Sequence, residues 1–323
     1  VATEAPWLLF ESHLDTVSVQ DMTIDPFVGR IDGNRIYGRG ACDTKASGAA
    51  MLTALVDYAA ATERPNNAAI LYTLDEEIFK TGVAHFVKHD LPELTWSPFG
   101  VIVGEPTELE PVVAHNGAVR WTIQTHGVSA HSSDPSRGRS AISMMAKVIQ
   151  AIESQYIPNL TASHPLTGKA QCSINVIRGG VQINMIPEHC QIEIDRRTVP
   201  GEDIHAVLPA VGHLLDQLRQ EDPSLQISQD KPFLDPPLDP GGSEAFVGFV
   251  QSLLGQMNLP TQLRGVGYGT DAGNFSLADV PTTILGPGNI AQAHTCDEWL
   301  ELEQLDRAVD VYLNLMRYRW PGE

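Results

Sequence analysis

Two histidines and a set of acidic residues stand where apolar runs stop. His13 and Asp15 follow WLLFES, Asp43 lies in GRGACDTK, Glu76 and Glu77 follow AAILYTL, Glu105 follows FGVIVG, and His294 lies downstream of TTILG. Each segment is an apolar stretch with a polar residue at its mouth. Imidazole and carboxylate donors together suit zinc, and also manganese or cobalt. Two imidazoles and three carboxylates are too many for one tetrahedral ion with an open position. They suit a pair of ions about 3.5–4 Å apart that share a bridging carboxylate, with one further carboxylate left as general base. The adjacent Glu76 and Glu77 supply that division, because neighbours on a strand or tight turn point apart. Asp15, two residues past His13, shares its face and is expected to accept from the second imidazole nitrogen. Taken singly, each piece is weak, since an HLD or a DEE at a strand end is ordinarily a solvated turn. Their joint recurrence, in order and at strand mouths, carries the reading.

The elements that must position these residues follow from periodicity. Short apolar strands around 7–12, 68–74 and 99–104 alternate with a small-residue helical stretch over 44–60, with Thr44 as candidate N-cap. Strands separated by helices predict an α/β sheet with parallel pairs, whose carboxyl ends are where sites form. From VRWTIQTH (119–126) the character changes. A helix over 140–155, strands QCSINVIRGG and EHCQIEIDRR around a turn containing Pro187, a helix over 202–220 and a strand over 225–229 complete a β-α-β-β-α-β, ferredoxin-like order. The Pro-rich KPFLDPPLDPGG (231–242) reads as a boundary. A helix near 243–256, strands near 262–266 and 282–286 and a helix over 301–317 then resume the first pattern. The expected organisation is a discontinuous α/β domain of residues 1–116 and 232–323, with residues 117–231 inserted.

Composition narrows the partners. The 323 residues carry 21 Lys plus Arg against 40 Asp plus Glu, a net charge of −19, which argues against a nucleic-acid backbone or an anionic membrane surface. Cys42, Cys172, Cys190 and Cys296 form no CxxC pair, so a reducing, cytoplasmic setting without thiolate zinc is expected. No apolar run approaches the ~18 residues of a membrane span, and VATEAPWLLF runs into a strand without a signal-peptide pattern.

The segments HLDTV, DPFVGRIDGNRIYGRGACDTKA, LDEEI, GEPT, HSSDPSRGRSAI, INMIP, DRRTVPGE, GTDAGNF and GPGNIAQAHTCDEWL span nearly the whole chain. Together they resemble the dinuclear-zinc deacylase and exopeptidase family of acetylornithine deacetylase, succinyl-diaminopimelate desuccinylase, aminoacylase and glutamate carboxypeptidase. The resemblance implies a zinc-peptidase-like catalytic domain with a mixed sheet and an inserted ferredoxin-like lid that also dimerises. It implies two divalent ions, Zn²⁺ foremost, with Co²⁺ or Mn²⁺ as alternatives. Asp43 would bridge them, His13 and Glu105 would complete one, Glu77 and His294 the other. Glu76 would be the base and Asp15 would orient His13. His131 would be the lid histidine that reaches a partner subunit's oxyanion. Asn184 and Arg196 would be lid contacts to substrate, with Arg196 offering a planar fork to a carboxylate. Gly269, Thr270 and Gly288 would line the substrate side. Cys42 would be a small buried thiol and not a ligand.

The motifs around GPGNIAQAH and HSSDPSRG look most like acetylornithine deacetylase, which implies an N-acyl-amino-acid substrate and a place in arginine biosynthesis. Desuccinylase, aminoacylase and di- or tripeptide exopeptidase stand close behind, and a catalytically silent relative further off. Relatives of this family usually carry several tens of residues before HLDTV, where 12 precede His13 here. The catalytic sheet is therefore expected to lack an edge strand.

Overall fold

The computed structural model describes residues 5–319. In chain order its main elements are β1 (Trp7–His13), α1 (Lys45–Ala60), β2 (Asn67–Thr73), β3 (Pro98–Val103), β4 (Val112–His115), β5 (Gly117–His126), α2 (Ala141–Ala151), β6 (Gln171–Gly179), β7 (His189–Thr198), α3 (Val207–Glu221), β8 (Ile227–Gln229), α4 (Glu244–Gln256), β9 (Arg264–Val266), β10 (Thr282–Ile284) and α5 (Leu302–Arg317). The chain divides into two compact units, one made of the residues up to His115 with those from Pro237 onward, the other of Asn116–Pro236.

The first unit holds a six-stranded sheet in the order β9-β4-β10-β3-β1-β2. The pairs β1–β2, β1–β3, β3–β10 and β4–β9 are parallel and β4–β10 is antiparallel, so the sheet is mixed. Strand β1 is buried almost throughout because it has parallel neighbours on both edges and side chains covering both faces. Alternation sorts its residues: Leu8 and Phe10 join Ile102 against α1, α4 and α5, while Leu9 joins Val101, Val103 and Phe275 on the other face. Strand β2 is the edge, paired on one side among the described residues.

Two features of this unit decide where polar groups can sit. Four adjacent parallel strands (β10, β3, β1, β2) end at one edge of the sheet. A separate three-stranded antiparallel sheet joins Arg30–Asp32, Arg35–Tyr37 and Trp299–Glu301, pairing Tyr37 with Trp299. That register lays segment 38–43 beside segment 294–298, two stretches far apart in sequence. Arg35 stacks on Trp299 at 3.6 Å and Arg30 on Tyr37 at 4.4 Å, which supports the small sheet. This sheet and strand β4 are not among the sequence expectations. Three-residue strands are too short to show a period, and Pro111 with the Glu-rich turn before it masks β4.

Thr44 occupies the N-cap position of α1, but its hydroxyl caps nothing. It donates instead to the carbonyl of His13 at 3.2 Å and meets Ser12 Oγ at 2.9 Å, which ties the start of α1 to the end of β1. The second unit has the sheet order β6-β7-β5-β8, all antiparallel, with α2 and α3 packed on one face around Trp121, Met145, Ile192 and Leu215. It extends to Pro236 because Phe233–Asp235 pair with β5.

Candidate metal centre

The carboxyl edge of the first unit's sheet gathers the donors. His13 is the last residue of β1, Glu76 and Glu77 lie just past β2, Glu105 just past β3, and His294 in the loop after β10. Asp43 enters from the loop ahead of α1. Glycine at 104 lets that loop and helix approach: a Cβ there would stand 2.6 Å from Ser47 Cβ and 2.8 Å from Met51 Cε.

Asp43 sits between the two imidazoles. Its Oδ1 is 3.0 Å from His13 Nε2 and its Oδ2 is 3.3 Å from His294 Nε2. On one flank, Glu105 Oε1 stands 3.9 Å from His13 Nε2. On the other, Glu77 Oε2 stands 3.0 Å from His294 Nε2. Donor atoms of His13, Asp43 and Glu77 lie within 4.8 Å of one another, and so do those of His13, Glu76 and Glu105. The two glutamates of the pair thus reach the same cluster from different flanks. Glu76 is further met by Lys80 Nζ at 3.3 Å.

The supporting contacts differ in one respect from the sequence expectation. His13 Nδ1 faces the main-chain carbonyl of Asp15 at 3.1 Å, with the Asp15 carboxylate at 3.6 Å. That carboxylate accepts from the main-chain N–H of Glu76 at 3.2 Å and of Glu77 at 3.1 Å. Asp15 therefore fixes the imidazole with its backbone and the 76–77 turn with its side chain.

The protonation balance shows what this cluster favours. Burial works against a charged His13, yet hydrogen bonds to Asp15 and Asp43 and the charge of Glu105 hold its pKa far above the ordinary range. His294 is pushed up to about 10 by its hydrogen bonds to Asp43 and Glu77. Burial would raise Asp43, but the two imidazoles bring it down to about 2. Glu105 is raised well above its usual value by burial and then by Asp43, and Glu76 is raised, first by burial. Four carboxylates converge on two imidazoles, so the group stabilises positive charge strongly enough to hold protons on both rings. Two divalent cations would take over that charge and release the protons. The donor set, all imidazole nitrogen and carboxylate oxygen with Asp43 facing both ways, fits such a pair.

Other candidate residues fall differently. Thr270 is buried; its N–H donates to His115 Nε2 at 3.4 Å and its Oγ1 accepts from Ala272 N at 3.1 Å. Gly269 beside it is half-buried. Gly288 has φ +92°, and a Cβ there would come 2.6 Å from Cys42 Sγ, so packing alone requires glycine at that position. Cys42 is buried and burial pushes its thiol up, away from the thiolate a metal would need.

In the second unit, His131 is exposed, with Nδ1 2.7 Å from Ser133 Oγ, and its strand Ala130–His131 pairs with Met185–Ile186. Asn184, also exposed, accepts from Ser132 N at 2.9 Å through its carbonyl, so the two lie on one ribbon. Arg196 corrects an expectation. It is 2% exposed, its Nη2 is 2.5 Å from Glu202 Oε1, and its Nη1 donates to the Arg197 carbonyl. Its fork is taken up within its own unit, because alternation along β7 turns Arg196 toward the helices and Arg197 to the opposite face.

Sequence reasoning did not single out a further buried acidic pair. Glu11 Oε1 and Asp271 Oδ2 both meet the Thr73 hydroxyl, at 2.6 and 2.8 Å. One hydroxyl proton cannot serve two carboxylates, so one of them holds a proton of its own. Burial pushes Glu11 up to about 7 and Asp271 well above its usual range. The signal was a lone carboxylate inside an apolar strand, which is costly unless neutral or partnered.

A mixed α/β sheet with imidazoles and carboxylates at the mouths of its parallel strands is the layout of a metal-dependent hydrolase. The chain belongs to peptidase family M20/M25/M40, whose model matches residues 9–318. It is 34% identical to an acetylornithine deacetylase of Klebsiella pneumoniae, over 91% of this chain and 75% of that protein. It is 33% identical to the acetylornithine deacetylase of Salmonella typhimurium, over 91% and 75%. Among solved structures it is similar to aminopeptidase PepT of Bacillus cereus, with TM-score 0.75 and 21% identity over 97% of this chain and 81% of that one. It is also similar to a Bacillus subtilis dinuclear metal-binding peptidase of the M20 family, with TM-score 0.70 and 16% identity over 97% and 81%. The protein is accordingly a metallohydrolase acting on amide bonds. Among the described residues, no helix is long and apolar enough to cross a membrane.

Proposed function

We propose that this metallohydrolase removes the acyl group from an N-acyl-L-amino acid, in the manner of acetylornithine deacetylase, with two divalent ions at the carboxyl edge of the first unit's sheet. The observation that carries the reading is Asp43, whose two oxygens face His13 and His294 from a single buried carboxylate. Asp43 would bridge, His13 with Glu105 would hold one ion, and Glu77 with His294 the other. Zn²⁺ suits this donor set best, with Co²⁺ or Mn²⁺ as substitutes. Bound there, the ions would polarise the scissile carbonyl and acidify the attacking water.

The rest falls to the chain's own side chains. Burial keeps the Glu76 carboxyl raised, and Lys80 at 3.3 Å limits that rise. Glu76 is thus poised to accept the water's proton and to deliver it to the leaving nitrogen. Asp15 holds Glu76 and Glu77 in place through their main-chain N–H groups. The second unit serves as a lid and dimerisation domain, His131 supplies a donor to the oxyanion of a partner subunit's site, and Asn184 contacts substrate. Thr270, Gly269 and Gly288 border the substrate side of the first unit. The relatives at 33–34% identity favour a small acylated amino acid as substrate, and the four free cysteines favour a reducing, cytoplasmic setting.

A panel of N-acetyl amino acids including N-acetylornithine, N-succinyl amino acids and di- and tripeptides, assayed with Zn²⁺ or Co²⁺, tests this. Fastest turnover of N-acetylornithine is expected. Preference for a succinyl group or for a free peptide would assign the chain to a desuccinylase or exopeptidase instead, and no turnover of any would mark a silent relative. Sedimentation should give twice the 35.1 kDa chain mass.

A further inference from the structure

We propose that Glu298 is a positioning residue for the bridging carboxylate, a role that rests on the dinuclear reading above. Its side chain has no exposure, and both carboxylate oxygens are fully engaged. Oε2 accepts from Arg39 Nη1 at 2.7 Å and from Gly40 N at 3.0 Å. Oε1 accepts from Cys42 N at 2.8 Å and from Asp43 N at 3.0 Å. Three main-chain N–H groups of one loop converge on a single anion, and a guanidinium balances its charge.

What this carboxylate organises is the loop that presents Asp43. The peptide N–H of Asp43 is itself one of the four donors, so the bond acts one residue's backbone away from the two oxygens that face His13 and His294. Glu298 also follows His294 by four residues, and the Tyr37–Trp299 pairing sets the two segments side by side. Its own main-chain carbonyl accepts from Gly38 N at 3.0 Å, closing the loop from the other end. One buried side chain therefore joins the loop bearing Asp43 to the loop bearing His294. Burying a carboxylate costs desolvation energy even with Arg39 beside it. A neutral hydrogen-bonding residue could close a loop at less cost, but an amide cannot accept from four donors with both of its ends.

Glu298→Gln places an NH₂ against two donors and loosens the loop without removing any donor to a cation. Outer partners of metal ligands are typically worth 10–100-fold in affinity. The test titrates metal-depleted protein with Zn²⁺ against a chromophoric chelator, and records the visible absorption of the Co²⁺-loaded form. Wild type is measured first: a wild type that takes up fewer than two ions defeats the dinuclear reading itself. Given two ions in wild type, Glu298→Gln should weaken uptake 10–100-fold and change the Co²⁺ band, with circular dichroism unchanged. Asn66→Ala serves as the structural control. Asn66 is buried at the opposite end of β2, bonded to the carbonyls of Met316 and Tyr318 at 3.0 and 2.8 Å, and its loss should lower Tm while leaving affinity and spectrum alone. If Glu298→Gln does not fold, Glu298→Asp, which keeps the charge but falls one methylene short, is read the same way. Wild-type affinity and spectrum in either folded variant, or failure of both to fold, would make Glu298 a structural residue and overturn the proposal.

Discussion

The two flanks of the cluster are built unlike each other. His13 terminates the central strand β1, is 2% exposed, and is held at both ring nitrogens, by the Asp15 carbonyl and by Asp43. His294 lies in a loop with φ +61°, its side chain is 53% exposed, and Asp43 and Glu77 hold it from one side. Asp43 is common to both. The difference teaches that a site for two ions need not be equally preorganised. The His13 flank is fixed by the core of the sheet, and the His294 flank by a loop that water reaches. An ion on the first should bind more tightly and exchange more slowly than an ion on the second.

Substitutions can break or sharpen that contrast. The largest effect belongs to the shared residue. Asp43→Asn should weaken uptake on both flanks by more than the 10–100-fold typical of an outer partner and abolish turnover. Loss of one ion with the other unaffected would show that Asp43 serves one flank only. Glu76→Gln comes next, lowering kcat by about 10²–10⁴-fold while the bound-metal count stays the same. Parental turnover in that variant would remove Glu76 from the chemistry.

His13→Ala and His294→Ala separate the flanks directly by the stability of the metal-depleted protein. Removing His13 leaves Asp43 and Glu105 buried without their partner and should cost about 1–3 kcal/mol or more. Removing His294, whose side chain is 53% exposed so that water can partly replace it against Asp43 and Glu77, should cost less. Equal losses in denaturant titrations would erase the contrast.

A last effect, away from the ligands themselves, is one of pH. Glu11 is held protonated in the fold up to about 7, against 4.5 for an ordinary glutamate. A raised carboxyl pKa gives stability that is fully present below pH 4.5 and is lost as pH rises toward 7. Glu11→Gln should therefore gain in Tm relative to wild type across pH 4.5 to 7, with a constant difference on either side. A flat difference across that window would show that Glu11 titrates normally.

Much of the catalytic edge was legible in the sequence because strand mouths leave a clear mark. His13, Glu76, Glu77, Glu105 and His294 each follow an apolar run, and the structure gathers those runs as neighbouring parallel strands. Both helices and all four strands of the ferredoxin-like unit could be read from alternation and helical spacing. What was not legible depended on direction and on distant pairing. Arg196 and Arg197 are equivalent as letters, and only the parity of β7 decides which one enters the core. Asp15 has the expected neighbour, but local spacing does not say whether its carbonyl or its carboxylate would meet the ring. Glu298 gave no sign of its role, because its four donors lie about 255 positions upstream and are mostly backbone. Glu11 left a sign, a charge inside WLLFES, that composition of the strand outweighed.

Titration of metal-depleted protein with Zn²⁺, read by calorimetry in wild type and in His294→Ala, bears most directly on the shared-carboxylate centre. Wild type should take up two ions per chain in two steps of different affinity, and His294→Ala should keep the tighter step and lose the weaker. A single ion in wild type, or loss of the tighter step in His294→Ala, would contradict a centre built around Asp43 with His13 as its fixed side.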